Sequence, residues 1–181
     1  MKKIIFTALL LVCTIGSNAQ EINWISLEQA ATLQKTAPKK IMMDVYTKWC
    51  GPCKMLDKKT FHNKDVVAYV NKNFYAVKFN AEGNKDIQYK GEIYKNPGYN
   101  PAKANRRNSG HQLASLLQIR AYPTIVFFDE TGAVIAPIKG YQTPQQLEFY
   151  LKMFVNNKHV DIDTQEKFAQ YHGAFKATFK G

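Results

Sequence analysis

The sequence predicts an α/β domain, a mixed β-sheet with helices on both faces. Three observations carry this. An apolar run at Lys40–Tyr46 leads into helical segments and then into an alternating strand at Phe74–Phe79, the β-α-β pattern of parallel strands. Thr124–Phe128 and Ala133–Ile138 are short strands separated by the turn Asp129-Glu130-Thr131-Gly132, so they pair antiparallel. A further amphipathic helix follows Thr143.

Each element has a local reason. Trp24 opens an apolar start, and Leu27, Ala30 and Ala31 then take helical spacing until Pro38 ends it. Ile41–Tyr46 reads as a buried strand. A helix opens at Gly51 and is expected to run to about Lys59. Asn63 caps a second helix, with Val66, Val67 and Val70 on one side. Residues 81–108 differ in character, carrying Gly83, Gly91, Pro97, Gly98, Pro101 and several asparagines. They read as an insertion in which Ile87–Tyr89 and Glu92–Tyr94 form a hairpin across Lys90-Gly91. Ser109 and Gln112 make a capping-box pattern before Leu113, Leu116 and Leu117. Pro137 places the strand after the turn at a sheet edge, because proline cannot donate to a central ladder. Thr143, Pro144 and Gln146 form another helix start, followed by Leu147, Tyr150, Leu151 and Phe154. Beyond Asn157, Phe168, Tyr171, His172 and Phe175 mark one more amphipathic segment, which Gly173 is expected to interrupt. The organisation is thus a domain over 20–157 and an extension over 158–181 packed on it.

The first residues have the form of a secretory signal. Lys2 and Lys3 precede the apolar run Ile4–Val12, and Ser17-Asn18-Ala19 supplies small residues before Gln20. The run is too short to span a bilayer. Removing residues 1–19 leaves 162 residues, enough for one core. Cys13 lies inside this leader. As a lipoprotein cysteine it would tether the mature chain to a membrane, but Val12 is bulky for such a site, and a discarded apolar residue is the preferred reading. The net charge of +11 falls to +9 without the two leader lysines. The basic residues are scattered, and the densest group, Lys103, Arg106 and Arg107, sits in the insertion. A solvated basic face is therefore favoured over nucleic-acid binding, and attraction to acidic partner proteins stays open.

Chemistry concentrates in Trp49-Cys50-Gly51-Pro52-Cys53-Lys54. Cys50 and Cys53 are the two cysteines of the mature chain. At i and i+3 of a helix start they share a face, so their sulfurs can close or open a disulfide with little backbone change. The helix N-terminus favours negative charge, which makes Cys50 the expected thiolate and nucleophile. With no other pair to form a structural framework, a C-x-x-C beside a β-α pattern reads as a redox centre. A metal site is disfavoured: His62 or His111 could add a ligand, but no second C-x-x-C and no H-x-x-x-H exists. No cofactor is expected beyond the cysteine pair.

Over roughly residues 22–156 the chain resembles the thioredoxin family. The hexapeptide around Cys50 is complete. Asp44 stands six residues before it, where the family keeps a buried aspartate, and Lys78 is similar to the lysine beside that aspartate. Tyr122-Pro123-Thr124 resembles the cis-proline segment, and Gly140 falls where the last strand has a glycine near the substrate groove. Asp44-Val45-Tyr46-Thr47-Lys48-Trp49 and Lys59-Thr60-Phe61 resemble the exported branch, in particular the periplasmic C-terminal domain of transmembrane disulfide-reductant transporters.

The resemblance implies a thioredoxin-like fold and an exported, periplasmic thiol-disulfide oxidoreductase. Cys50 attacks a partner disulfide, and Cys53, expected to be the more buried, resolves the intermediate after Asp44 takes its proton. Trp49, Gly51, Pro52, Tyr122, Pro123 and Gly140 would contact the substrate, with a cis Pro123 leaving the Tyr122 backbone free to pair with an extended segment. Gly51-Pro52 points to a reductant rather than an oxidant. Implied partners are disulfide-containing exported proteins and a membrane electron donor, with the protein a monomer. A disulfide isomerase or oxidase, or a binding module in which redox is secondary, are the alternatives.

Overall fold

The computed structural model describes residues 21–181; the leader and Cys13 lie outside the described residues. In chain order the strands are β1 (Trp24–Ile25), β2 (Lys40–Tyr46), β3 (Phe74–Asn80), β4 (Ile87–Tyr89), β5 (Glu92–Tyr94), β6 (Thr124–Phe128) and β7 (Val134–Lys139). The helices are α1 (Leu27–Gln34), α2 (Gly51–Leu56), α3 (Lys64–Asn73), α4 (Gln112–Leu116), α5 (Pro144–Val155) and α6 (Gln165–Ala174). One sheet has the order β1-β3-β2-β6-β7, and β4 pairs with β5 as a separate hairpin. β1 and β2 run parallel to β3, whereas β6 is antiparallel to both β2 and β7. This is the expected mixed sheet, with Pro137 on its edge strand.

Alternation along β2 decides what each face of the sheet meets. Ile41, Met43 and Val45 join Leu27 and Ala30 of α1 and Leu113 of α4 in one core. Met42 faces the opposite way, into a core with Leu56, Val67, Val70, Leu147 and Phe154 from α2, α3 and α5. The period of two puts Asp44 on the Met42 side, the side α2 covers. Phe74 and Ala76 of β3 belong to the same core, so Lys78 shares that face, and the parallel register sets it opposite Asp44.

Helix starts largely follow their caps. Ser26 with Gln29 and Thr143 with Gln146 form complete capping boxes, and Asn63 accepts from the Asp65 and Val66 amides. α4 departs from expectation. Its N-cap is His111, whose Nδ1 accepts from the Leu113 amide at 3.1 Å. Ser109 instead donates to Asn96, and Gln112 accepts from the Lys95 amide. The returning limb of the insertion brings polar groups that these side chains satisfy, so the local box loses to tertiary partners. α2 continues as a turn of π-helix over Asp57–Phe61, slightly past the expected end.

The C-terminal segment also differs in detail. α6 runs through Gly173 to Ala174 without a break. Phe168, Tyr171, His172 and Phe175 surround the buried ring of Phe149 at centroid distances of 4.9–5.6 Å. The chain then returns across α5, where the fully buried Glu148 carboxylate accepts from the amides of Thr178 and Phe179, the Thr178 hydroxyl and Lys152. Burial alone would raise its pKa, but these donors outweigh it and hold the carboxyl below its ordinary value. Replacing Glu148 with alanine strands two backbone amides and is expected to cost about 2–4 kcal/mol in denaturant unfolding. Hydrogen exchange at Thr178 and Phe179 should accelerate in the same variant; unaltered exchange there would mean that the tail is held by other contacts.

Candidate active site

Cys50 is the N-cap of α2 and Cys53 lies in its first turn, joined by a disulfide with a Cα–Cα separation of 5.3 Å. Pro52 sits in that first turn, where a missing N–H removes no helical bond. The Cys53 amide donates to Cys50 Sγ at 3.1 Å. Once the pair is reduced, this amide and the helix N-terminus favour a thiolate on Cys50.

Depth does not separate the two sulfurs in the way expected: Cys50 is 3% exposed and Cys53 6%. They differ in what they face. Cys50 lines an open groove of about 360 Å³ with Trp49, Pro52, Tyr122, Arg107 and Arg120. Cys53 lines a cavity of about 350 Å³ on the other side, shared with Asp44, Thr47, Asp57, Lys78 and Asn105. The two cysteines thus border different hollows, Cys50 one walled by Trp49 and Tyr122 and Cys53 one that contains Asp44.

Asp44 is buried, and its Oδ1 finds no hydrogen-bond partner among the described residues. Burial pushes its carboxyl up to about 7, with Lys78 pulling it down and Asp57 pushing it further up. Lys78 itself bonds to the Asp57 carboxylate, and its ammonium stands 5.0 Å from the Trp24 ring centroid. Its charge is thereby shared between two carboxyls instead of serving Asp44 alone.

On the groove side the Tyr122–Pro123 peptide is cis. Gly140 follows β7 with φ +86°, a backbone conformation that side chains disfavour, and its amide donates to the Pro123 carbonyl at 2.8 Å. Trp49 is half-buried. Its indole N–H donates to Glu82 Oε2 at 2.7 Å, and its ring meets Tyr122 edge-on at 6.1 Å. Gly51 and Pro52 are exposed beside Cys50. The residues singled out in the sequence therefore gather around one disulfide. Trp49, Gly51, Pro52 and Tyr122 lie in front, Asp44 and Lys78 behind, and Pro123 and Gly140 join each other next to Tyr122. Asp57, Glu82, Asn105, Arg107 and Arg120 were not anticipated. Asp57 was readable in principle, four residues after Cys53 on the same helical face; the others depend on how residues 81–120 fold. His111 is a cap, and no grouping of three or more His, Cys, Asp or Glu suited to a metal occurs among the described residues.

A family model described as a thioredoxin-like domain matches residues 27–154. The chain belongs to the thioredoxin-like family. With a C-x-x-C disulfide on this frame it is a thiol-disulfide oxidoreductase of that family. It is similar to the thiol:disulfide interchange protein DsbD of Pectobacterium atrosepticum, 23% identical over 146 residues, covering 78% of this chain and 21% of the relative. It is also similar to DsbD of Photorhabdus laumondii, 29% identical over 132 residues, covering 72% of this chain and 19% of the relative. The chain thus spans about a fifth of the length of these relatives. Among solved structures it shares the fold of a thioredoxin-fold protein from Helicobacter pylori, with a TM-score of 0.57, 20% identity and coverage of 75% of this chain and 81% of that one. It likewise shares the fold of a DsbH oxidoreductase, with a TM-score of 0.53, 16% identity and coverage of 83% and 95%.

Two outcomes follow for the acid cavity. Asp44 titrates near 7 in the folded protein against an ordinary value of 3.8, so the folded state holds the extra proton between those limits. Its ionisation therefore costs no stability below about pH 4, and stability falls as pH rises to about 7 before levelling off. Asp44→Asn should flatten that slope in the oxidised protein and raise stability at pH 8 by an amount on the order of 4 kcal/mol, with little change at pH 3.5; a slope that survives the substitution would assign it to another group. Asp57→Asn removes a charge that pushes Asp44 up and releases Lys78 from its partner. The Asp44 carboxyl should then titrate at lower pH, as read by carboxyl carbon NMR, and an upward move would contradict this arrangement.

Proposed function

We propose that this protein is exported and reduces disulfides in partner proteins through the Cys50–Cys53 dithiol. The observation that carries the reading is the placement of the pair, with Cys50 on a surface groove and Cys53 on a cavity that also contains the buried Asp44 carboxyl. The basic start, apolar run and small residues of positions 1–19 support export. Similarity to thiol:disulfide interchange proteins supports disulfide-bearing partners.

In the proposed cycle the Cys50 thiolate attacks one sulfur of a partner disulfide. An S–S bond forms between Cys50 and the partner, and the partner's other sulfur leaves as a thiolate. Cys53 then gives its proton to Asp44, directly or through water in the cavity, which is roomy enough to admit it. A carboxyl titrating near 7 accepts a proton at neutral pH and returns it without a large barrier. The Cys53 thiolate attacks Cys50 Sγ, closing the Cys50–Cys53 disulfide and releasing the second partner thiolate. Two electrons pass from the dithiol to the partner, and two protons follow to its thiols. A membrane electron donor would restore the dithiol.

Gly51-Pro52 between the cysteines supports the reducing direction, with a potential near the thioredoxin value of about −270 mV instead of the oxidant value of about −120 mV. Equilibration of the mature chain with glutathione or dithiothreitol buffers measures this, and a value at the oxidant end would reverse the direction. The roles of the two sulfurs separate in the single variants. Cys53→Ser should accumulate a mixed disulfide with a partner on Cys50, whereas Cys50→Ser should abolish reduction. A trapped adduct on Cys53 instead would exchange the two roles.

A further inference from the structure

The insertion at 81–108 does not lie away from the redox pair. It returns along the Cys50 groove and sets Arg107 there, with the guanidinium 4.9 Å from the Trp49 ring centroid. Arg120, two residues before Tyr122, lines the same groove. Both side chains are exposed, and among the described residues neither takes part in an ion pair.

The acid lining this groove is Glu82, and it is already engaged. Its Oε2 accepts from the Trp49 indole at 2.7 Å and from the Asn108 amide at 2.8 Å, and the residue is 9% exposed. The same bonds fix the backbone beside Arg107. Asn108 is held a second time, since its Oδ1 accepts from the Asn100 and Ser109 amides and its Nδ2 donates to the Asn100 carbonyl. Arg107 therefore projects from a clamped position, with its cation stacked on the aromatic that borders Cys50. Stacking orients a guanidinium and leaves its N–H fork available to a carboxylate.

We infer that Arg107 and Arg120 make the Cys50 groove selective for partner segments that carry acidic side chains beside the disulfide to be exchanged. This rests on the exchange reaction proposed above and adds no step to it. The two arginines come from different parts of the chain, the insertion and the segment before β6, and both border the groove that receives the partner sulfur. An Asp or Glu near that sulfur meets an unpaired guanidinium, whereas a Lys or Arg there meets like charge. The preference should act on encounter and register more than on chemistry, and salt should weaken it.

The test uses the reduced mature chain and two cyclic disulfide peptides, identical except for Asp or Lys on either side of the attacked cysteine. Second-order rate constants are followed by thiol release. At low ionic strength the acidic peptide should react about tenfold faster, the size expected for a few exposed charge contacts, with the gap closing in high salt. The double variant Arg107→Gln, Arg120→Gln should bring the ratio of the two rates close to one, and Arg107→Glu, Arg120→Glu should invert it. Because the readout is a ratio within each variant, a general loss of stability or nucleophilicity does not move it. Equal rates for the unmodified protein, or a preference that survives in both double variants, would overturn the selectivity while leaving the exchange reaction standing. Failure to react with either peptide would overturn both.

Discussion

The parallel register that sets Asp44 opposite Lys78 places a carboxyl and an ammonium on the one face of the sheet that α2 covers. Most of the site follows from that placement. A shift of one residue along β2 would turn Asp44 into the opposite core and bring Met43 or Val45 under Cys53. The apolar neighbours of Asp44 along β2 prevent this, because Ile41, Met43 and Val45 are each buried on the other side of the sheet. The hydrophobic alternation that folds the strand thus also delivers the acid to the redox pair. Its ionised form is disfavoured by burial; Lys78 offsets that effect only in part, and Asp57 adds to it. The same burial brings the carboxyl up to about 7.

A three-residue separation on a helix start does the rest. It keeps the two sulfurs within bonding distance while the two residues border different hollows, Cys50 the groove beside Trp49 and Cys53 the cavity that contains Asp44. The asymmetry between the two cysteines lies in which hollow each residue borders. Burial hardly distinguishes them. In the proposed cycle, partner access and proton transfer would thus use separate volumes.

Local patterns made most of the frame legible in the sequence. The capping box at Thr143, the strand runs and the edge proline are short-range signals, and they sit where their physics places them. The thioredoxin-like resemblance brought Asp44, Lys78, Pro123 and Gly140 together with the cysteines, although Lys78 lies 34 positions after Asp44 and only the parallel register unites the two. Expectations failed where a residue had both a local and a distant option. Ser109 and Gln112 matched a capping box, but the carbonyls and amides of the returning insertion claimed them, and His111 capped α4. Gly173 read as a break, yet packing of Phe168, Tyr171 and Phe175 on Phe149 carries the helix through it. The pairing of Lys78 with Asp57 needed the helix docked on the sheet before it could be seen.

The insertion and the tail show two ways in which a common frame acquires its own character. At the rear, the C-terminal segment adds a rim of aromatic rings and the Glu148 clasp to the α3–α5 side. At the front, residues 81–108 supply their own polar satisfaction. Asn96 donates to the carbonyls of Gly83 and Ser109, and Asn108 binds across to Asn100, so polar groups hold the irregular part of the segment while Ile87, Tyr89 and Tyr94 of the hairpin pack on the sheet's core. Glu82 links that network to Trp49. Any movement of the insertion is therefore felt at the aromatic wall of the Cys50 groove, while the cavity behind Cys53 is built mainly from β2, β3 and α2. Residues 81–108 thus border both hollows, with Glu82 and Arg107 on the Cys50 side and Asn105 on the Cys53 side, while the register that positions Asp44 is set by β2 and β3.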